Sequence, residues 1–189
     1  MLSVTVKVYP DVPLTLAFLD FSGVPSENHW QAIAAYNAIT PNLTNSKAFI
    51  LALYDNTSFS MKPLVVLNKT ETELNNTIRP FLDSLDDLNI QYSLSVHSGL
   101  RYIDALGIIG EIFHTVGDLL LGSRMLPRSL WANESGIASV LDVSRKIAEA
   151  GLLVNDFSFK LPTQPNARDT RNAVLPAWRE AQRLVLAAL

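Results

Sequence analysis

The chain has 189 residues, 48% hydrophobic and 17% charged, with a net charge of -3 at pH 7. That is enough for one core, and with its basic residues scattered it offers no electrostatic footprint for nucleic acid. No apolar run reaches the roughly 20 residues that span a bilayer, and the absence of cysteine excludes disulfides, thiolate nucleophiles and cysteine-ligated metals.

At the N-terminus, Val4, Val6 and Val8 alternate with Thr5 and Lys7, a strand pattern in place of a signal peptide's positive and apolar regions. Leu14 to Phe21 reads as a second strand, closed by Ser22-Gly23. A helix starts at Pro25, carries Trp30, Ile33 and Ala34 on one face, and is expected to stop at Pro41. Lys47 to Tyr54 is apolar on both alternating faces, as in a central strand. Across the turn "DNTS", Phe59 to Leu67 completes a hairpin.

Thr70 and Glu73 have capping-box spacing ahead of a helix with Leu74, Ile78, Phe81, Leu82, Leu85 and Leu88 on one side and Pro80 inside. From Gln91 to His97, polar Gln91, Ser93, Ser95 and His97 alternate with Tyr92, Leu94 and Val96, the pattern of a strand with one polar face. A short helix follows around Tyr102 to Ile109, and "LGSRMLPRSLW" reads as a loop or edge segment. Asn133 caps a helix bearing Ile137, Val140, Leu141 and Ile147 that ends at Gly151. Leu152 to Leu161 is the last clear strand, and the segment after Trp178 has no evident type. The irregular alternation with a hairpin predicts an α+β fold, a mostly antiparallel sheet with helices packed on one face.

Chemical motifs are sparse. Glu111, His114 and Asp118 would share a helix face and could ligate a metal, although a capped or solvated helix end beside Gly117 is the plainer reading. "NESGIAS" does not fit a nucleophile elbow, and no G-x-G-x-x-G or P-loop occurs. Arg124 and Arg128 suit either an anion or the carbonyls of their own loop. Five of the thirteen asparagines, Asn42, Asn56, Asn68, Asn75 and Asn133, begin N-x-Ser/Thr triplets, an excess that predicts a secreted glycoprotein. A chain of that kind that opens inside a strand is expected to be part of something longer.

Five stretches, "VTVKVYPDVPLT", "PSENHWQAIAAYNA", "IRPFLDSLDDLNIQYSL", "GSRMLPRSLW" and "NAVLPAWREA", together resemble the fungal FAD-linked oxidases of the berberine-bridge-enzyme-like group, in order and spacing. The resemblance implies that residues 1–10 end a strand of a flavin-binding domain and residues 11–189 form the substrate-binding domain, with "NAVLPAWRE" leading back toward the flavin. It implies an oxidase that passes hydride from a C–H donor to FAD and then to oxygen. It also implies that the flavin lobe and the C-terminal Tyr/Asn motif lie outside this sequence. No catalytic residue carries over, and the chain alone is expected to be inactive and to bind no FAD. Its partners are then the missing lobe and a small-molecule substrate, with no nucleic acid or membrane. Gln91, Ser93, Ser95 and His97 are the expected substrate-binding row, provided that they lie on the sheet face opposite the helix that ends near Leu88.

Overall fold

In the computed structural model, residues 3, 5, 6, 8, 10–110, 121–161 and 175–188 are described. Their strands are β1 (Leu14–Ser22), β2 (Phe49–Tyr54), β3 (Ser58–Leu67), β4 (Ser93–Leu100), β5 (Leu121–Pro127), β6 (Leu153–Ser158) and β7 (Ala181–Ala188). They form one seven-stranded sheet in the order β4-β1-β3-β2-β6-β7-β5, and every pairing is antiparallel. The α+β reading holds, and the doubly apolar β2 takes the central position.

Three long helices, α1 (Ser26–Asn45), α2 (Glu71–Asp87) and α4 (Glu134–Glu149), cover one face. Ile33 and Tyr36 of α1, Ile78 and Phe81 of α2 and Ala148 of α4 close there over Leu19, Ile50 and Met61 of the sheet. Burying such side chains stabilises by about 1.5–3 kcal/mol each, which is why the strands turn these residues toward the helices. The short α3 (Tyr102–Ile109) packs on the opposite face, where its Ala105 meets Leu14 and Leu16 of β1. We call that less covered side the open face.

Local chemistry fixes several boundaries. Thr70 Oγ1 accepts from Glu73 N at 3.2 Å, and Thr70 N donates to the Glu73 carboxylate at 2.8 Å, so the capping box opens α2 as its spacing predicts. In the β2–β3 turn, Asp55 Oδ1 accepts from the backbone N–H of Thr57 at 2.7 Å and of Ser58 at 2.9 Å. Burial pushes the Asp55 carboxyl up, but these hydrogen bonds outweigh it and hold the pKa below the ordinary value. Asn133 caps α4 by accepting from Gly136 N, and Gly151, at φ 81°, follows its end.

One expectation is corrected: α1 does not stop at Pro41 but runs to Asn45. Proline has no N–H to give the carbonyl four residues back, that of Asn37, and Trp131 Nε1 donates to it instead at 2.9 Å. Of the two readings of "LGSRMLP" the edge one holds: it is the outer strand β5, and the segment after Trp178, which had no evident type, supplies its partner β7. The expected N-terminal strand falls partly outside the described residues; of its alternating valines, Val6 and Val8 are exposed.

Candidate functional site

The antiparallel registers place side chains of the open face in rows across the sheet. Asp20 of β1 stands between Ser93 of β4 and Ser60 of β3, and Ser60 in turn opposes Leu53 of β2, itself opposite Asn155 of β6. One step along the strands, Ser95 opposes Phe18, and Leu51 opposes Phe157. Opposed side chains on one face sit close enough to share a ligand. Together with Lys62 of β3 and Ile108 and Ile109 of α3, these residues other than Ser60 bound a cavity of about 650 Å³.

The walls of this cavity are largely apolar, and its polar groups are few. Lys62 Nζ lies 2.7 Å from Asp20 Oδ2, and both side chains are partly exposed. Such a pair contributes little to stability, about 0–1 kcal/mol, so its position matters more than its strength. A concave apolar site with a few convergent polar groups is the usual form of a small-molecule pocket.

Of the residues expected from sequence, Ser93, Ser95 and His97 lie on this face of β4. Leu94 and Val96 pack against the helix-covered core, and Tyr92, just before β4, does the same. Ser93 and Ser95 line the cavity. His97 opposes Leu16 and meets Phe18 edge-on, with ring centroids 6.0 Å apart. Gln91 precedes the strand and borders a second, smaller hollow with Asp20 and Ser93. β4 is an outer strand, but its serines belong to a cavity that reaches Leu51 and Phe157 in the middle of the sheet.

Sequence reasoning did not single out Phe18, Asp20, Leu51, Leu53, Lys62, Asn155 or Phe157 as site residues. One signal was available: Asp20 interrupts "LTLAFLDF", and a charge in an apolar strand needs a reason.

Other candidates part from the site. Glu111, His114, Asp118 and Asn172 lie outside the described residues, and among the described residues no group of three or more His, Cys, Asp or Glu is gathered for a metal. Arg128 anchors its own segment, donating from Nη1 to Gln182 at 2.8 Å and from Nη2 to the Phe159 carbonyl at 3.1 Å. Arg124 is exposed on the outer strand β5. Trp178, in the short helix α5 (Ala177–Glu180), stacks on Phe159 at 5.3 Å. Of the five asparagines in triplets, Asn42, Asn68 and Asn133 are exposed. Asn56 is half-buried and donates its side-chain amide to the Ala148 carbonyl at 2.9 Å. Asn75 is half-buried with its Oδ1 unpaired.

A second polar cluster lies on the helix side of the sheet and is closed to solvent. Arg183 Nε sits 2.8 Å from Asp156 Oδ2, and both residues are fully buried. Arg183 also donates to Asn37 at 2.6 Å and to Thr40 at 3.1 Å, and it stacks over Tyr36 and Trp131. Burial pushes the Tyr54 phenol up to about 12 and raises Tyr36 well above its ordinary value, so both remain neutral, and Tyr54 donates to Ser144 at 3.1 Å. With no route for a ligand, this cluster joins helices to sheet.

No family model matches the chain. It is 30% identical over 188 residues to the FAD-linked oxidoreductase patO of Aspergillus clavatus, covering 97% of this chain and 32% of that protein. The crystal structure of the VAO-type flavoprotein MtVAO615 from Myceliophthora thermophila matches with a TM-score of 0.80 at 23% identity, over 96% of this chain and 34% of the other. MtVAO713 from the same organism matches with a TM-score of 0.78 at 15% identity, over 96% and 35%. The chain thus spans about a third of the length of the relatives it matches.

Proposed function

We propose, on the premise that this chain belongs with the fungal VAO-type, FAD-linked oxidoreductases and spans about a third of one, that its open sheet face is the substrate-binding wall of an oxidase. The observation that carries the reading is the 650 Å³ cavity on the side of the sheet left uncovered by α1, α2 and α4. A second body placed against that face would enclose a small molecule. The chain offers one wall of a pocket, and the flavoproteins it matches are about three times its length, which supports FAD being held largely by the remainder of such a protein.

When bound, FAD in such a protein supplies the redox chemistry, taking a hydride from a C–H donor and returning the electrons to oxygen. What these residues do is hold and orient the donor. Phe18, Leu51 and Phe157 exclude water and press on its apolar part. Ser93 and Ser95 offer hydroxyls that both donate and accept, and His97, in edge contact with Phe18 of the wall, offers a ring nitrogen to a donor oxygen. The exposed Asn42, Asn68 and Asn133 support a secreted glycoprotein.

A hybrid tests the reading, with this chain replacing the matching third of MtVAO615. Loaded with FAD and kept anaerobic, its flavin should be bleached by an alcohol or similar donor. Ser95→Val and His97→Ala should slow bleaching at least tenfold without lowering FAD content, about 1.4 kcal/mol or more at the barrier. Unchanged rates in both variants would refute the proposed wall.

A further inference from the structure

We infer that the open face takes a ligand of two chemically different parts, an apolar ring joined to a polyhydroxylated portion. The inference rests on the reading of that face as a substrate wall, and it comes from how polarity changes along the strands. The chamber is largely apolar, bounded by Phe18, Leu51, Leu53 and Phe157 with Ser95 and Asn155 among its few polar groups. Toward the end of β1 the same face becomes hydroxyl-rich, because Asp20 lies between Ser93 and Ser60, and Ser22 opposes Ser58. These four serines, with Asp20 and Gln91, border a trough of about 370 Å³.

Chamber and trough adjoin. Asp20 and Ser93 line both, so a single molecule can occupy the two at once. The trough's hydroxyls and the Gln91 amide each donate and accept, which matches sugar or polyol hydroxyls group for group. An anionic extension is disfavoured, since the Asp20 carboxylate stands at the junction and the nearby Lys62 ammonium is already paired with it at 2.7 Å. Joining two weakly held parts raises affinity beyond either, because the second contact becomes intramolecular.

The test is a titration of the isotope-labelled 189-residue chain with phenol, methyl β-D-glucoside and phenyl β-D-glucoside at millimolar concentration, followed by amide resonances. Phenyl glucoside should shift Leu53 and Phe157 in the chamber and Ser60 and Gln91 in the trough, with a Kd at least tenfold below that of either half. Ser60→Val, a change at a half-exposed strand position that β-branched residues suit, should remove this advantage and leave phenol binding unchanged. If phenyl glucoside binds no more tightly than phenol and shifts only the chamber, the two-part ligand is refuted while the substrate wall stands. If no probe shifts an open-face amide, both are refuted.

Discussion

Trp131 Nε1 donates to the carbonyl of Asn37 across 2.9 Å, and that carbonyl is the one deprived of its helical partner by Pro41. The two residues are 94 positions apart. A proline that would end a helix locally is thereby accommodated, and the last turn of α1 keeps Leu43 and Thr44 buried.

Replacing Trp131 with Phe tests this bond. The ring that faces Arg183 is retained in kind, but the buried carbonyl loses its donor, at a cost of about 1–3 kcal/mol. Urea denaturation should show the loss, with fraying beyond Pro41 in amide exchange. Wild-type stability in this variant would mean that water serves the carbonyl as well.

Arg183 and Asp156 behave as one unit. Burial raises the Asp156 carboxyl and Arg183 opposes that rise, so removing the cation leaves a buried acid without its partner. Arg183→Met should cost about 3–5 kcal/mol, and Asp156→Leu added to it should restore part of the loss. Strictly additive losses in denaturant would show that the two side chains are not coupled.

Stability should fall in mild acid because of His29. Its ring is fully buried, with Nε2 2.8 Å from the Asp55 carbonyl and Nδ1 without a partner. Burial lowers its pKa, against a smaller opposing pull from Asp55. The unfolded chain takes a proton near pH 6.5 while the folded one refuses it until lower pH. The unfolded state therefore binds more protons in that window, and stability is lost as pH falls from about 6.5 through the folded value. His29→Gln, which cannot be protonated, should flatten the urea midpoint between about pH 7 and pH 5. An identical slope in wild type and variant would assign the acid sensitivity elsewhere.

Glycan attachment should follow side-chain access. In secretion from a fungal host, mass spectrometry should find sugar on the exposed Asn42, Asn68 and Asn133. Asn56 should remain bare, since its amide nitrogen is engaged with Ala148. Full occupancy at Asn56 would show that α4 docks only after modification.

Legibility in the sequence tracked the range of the interactions. The Thr70–Glu73 box and the Asn133 cap are decided within a few residues and are where their patterns place them, and the alternation expected from Gln91 to His97 gives β4 shifted to Ser93–Leu100. The continuation of α1 through Pro41 depends on Trp131, and β7 forms between β6 and β5 through partners no local pattern reveals. The site divides the same way. Ser93 and Ser95 could be read from their alternation. Phe18, Leu51 and Phe157 gather around them only because three strands far apart in sequence become neighbours or near neighbours in the sheet.

The central claim is that the open face lies against the flavin-bearing part of a larger oxidase. Because the chain has no cysteine, single cysteines can be placed by Ser95→Cys on the open face and Ser139→Cys on the exposed side of α4. Labelling rates at those two peptides, read by mass spectrometry, are compared between the 189-residue chain and the FAD-loaded hybrid with MtVAO615. The account predicts that the hybrid slows labelling at position 95 at least tenfold and leaves position 139 unchanged. Equal labelling at position 95 in both proteins, or protection confined to position 139, would contradict it.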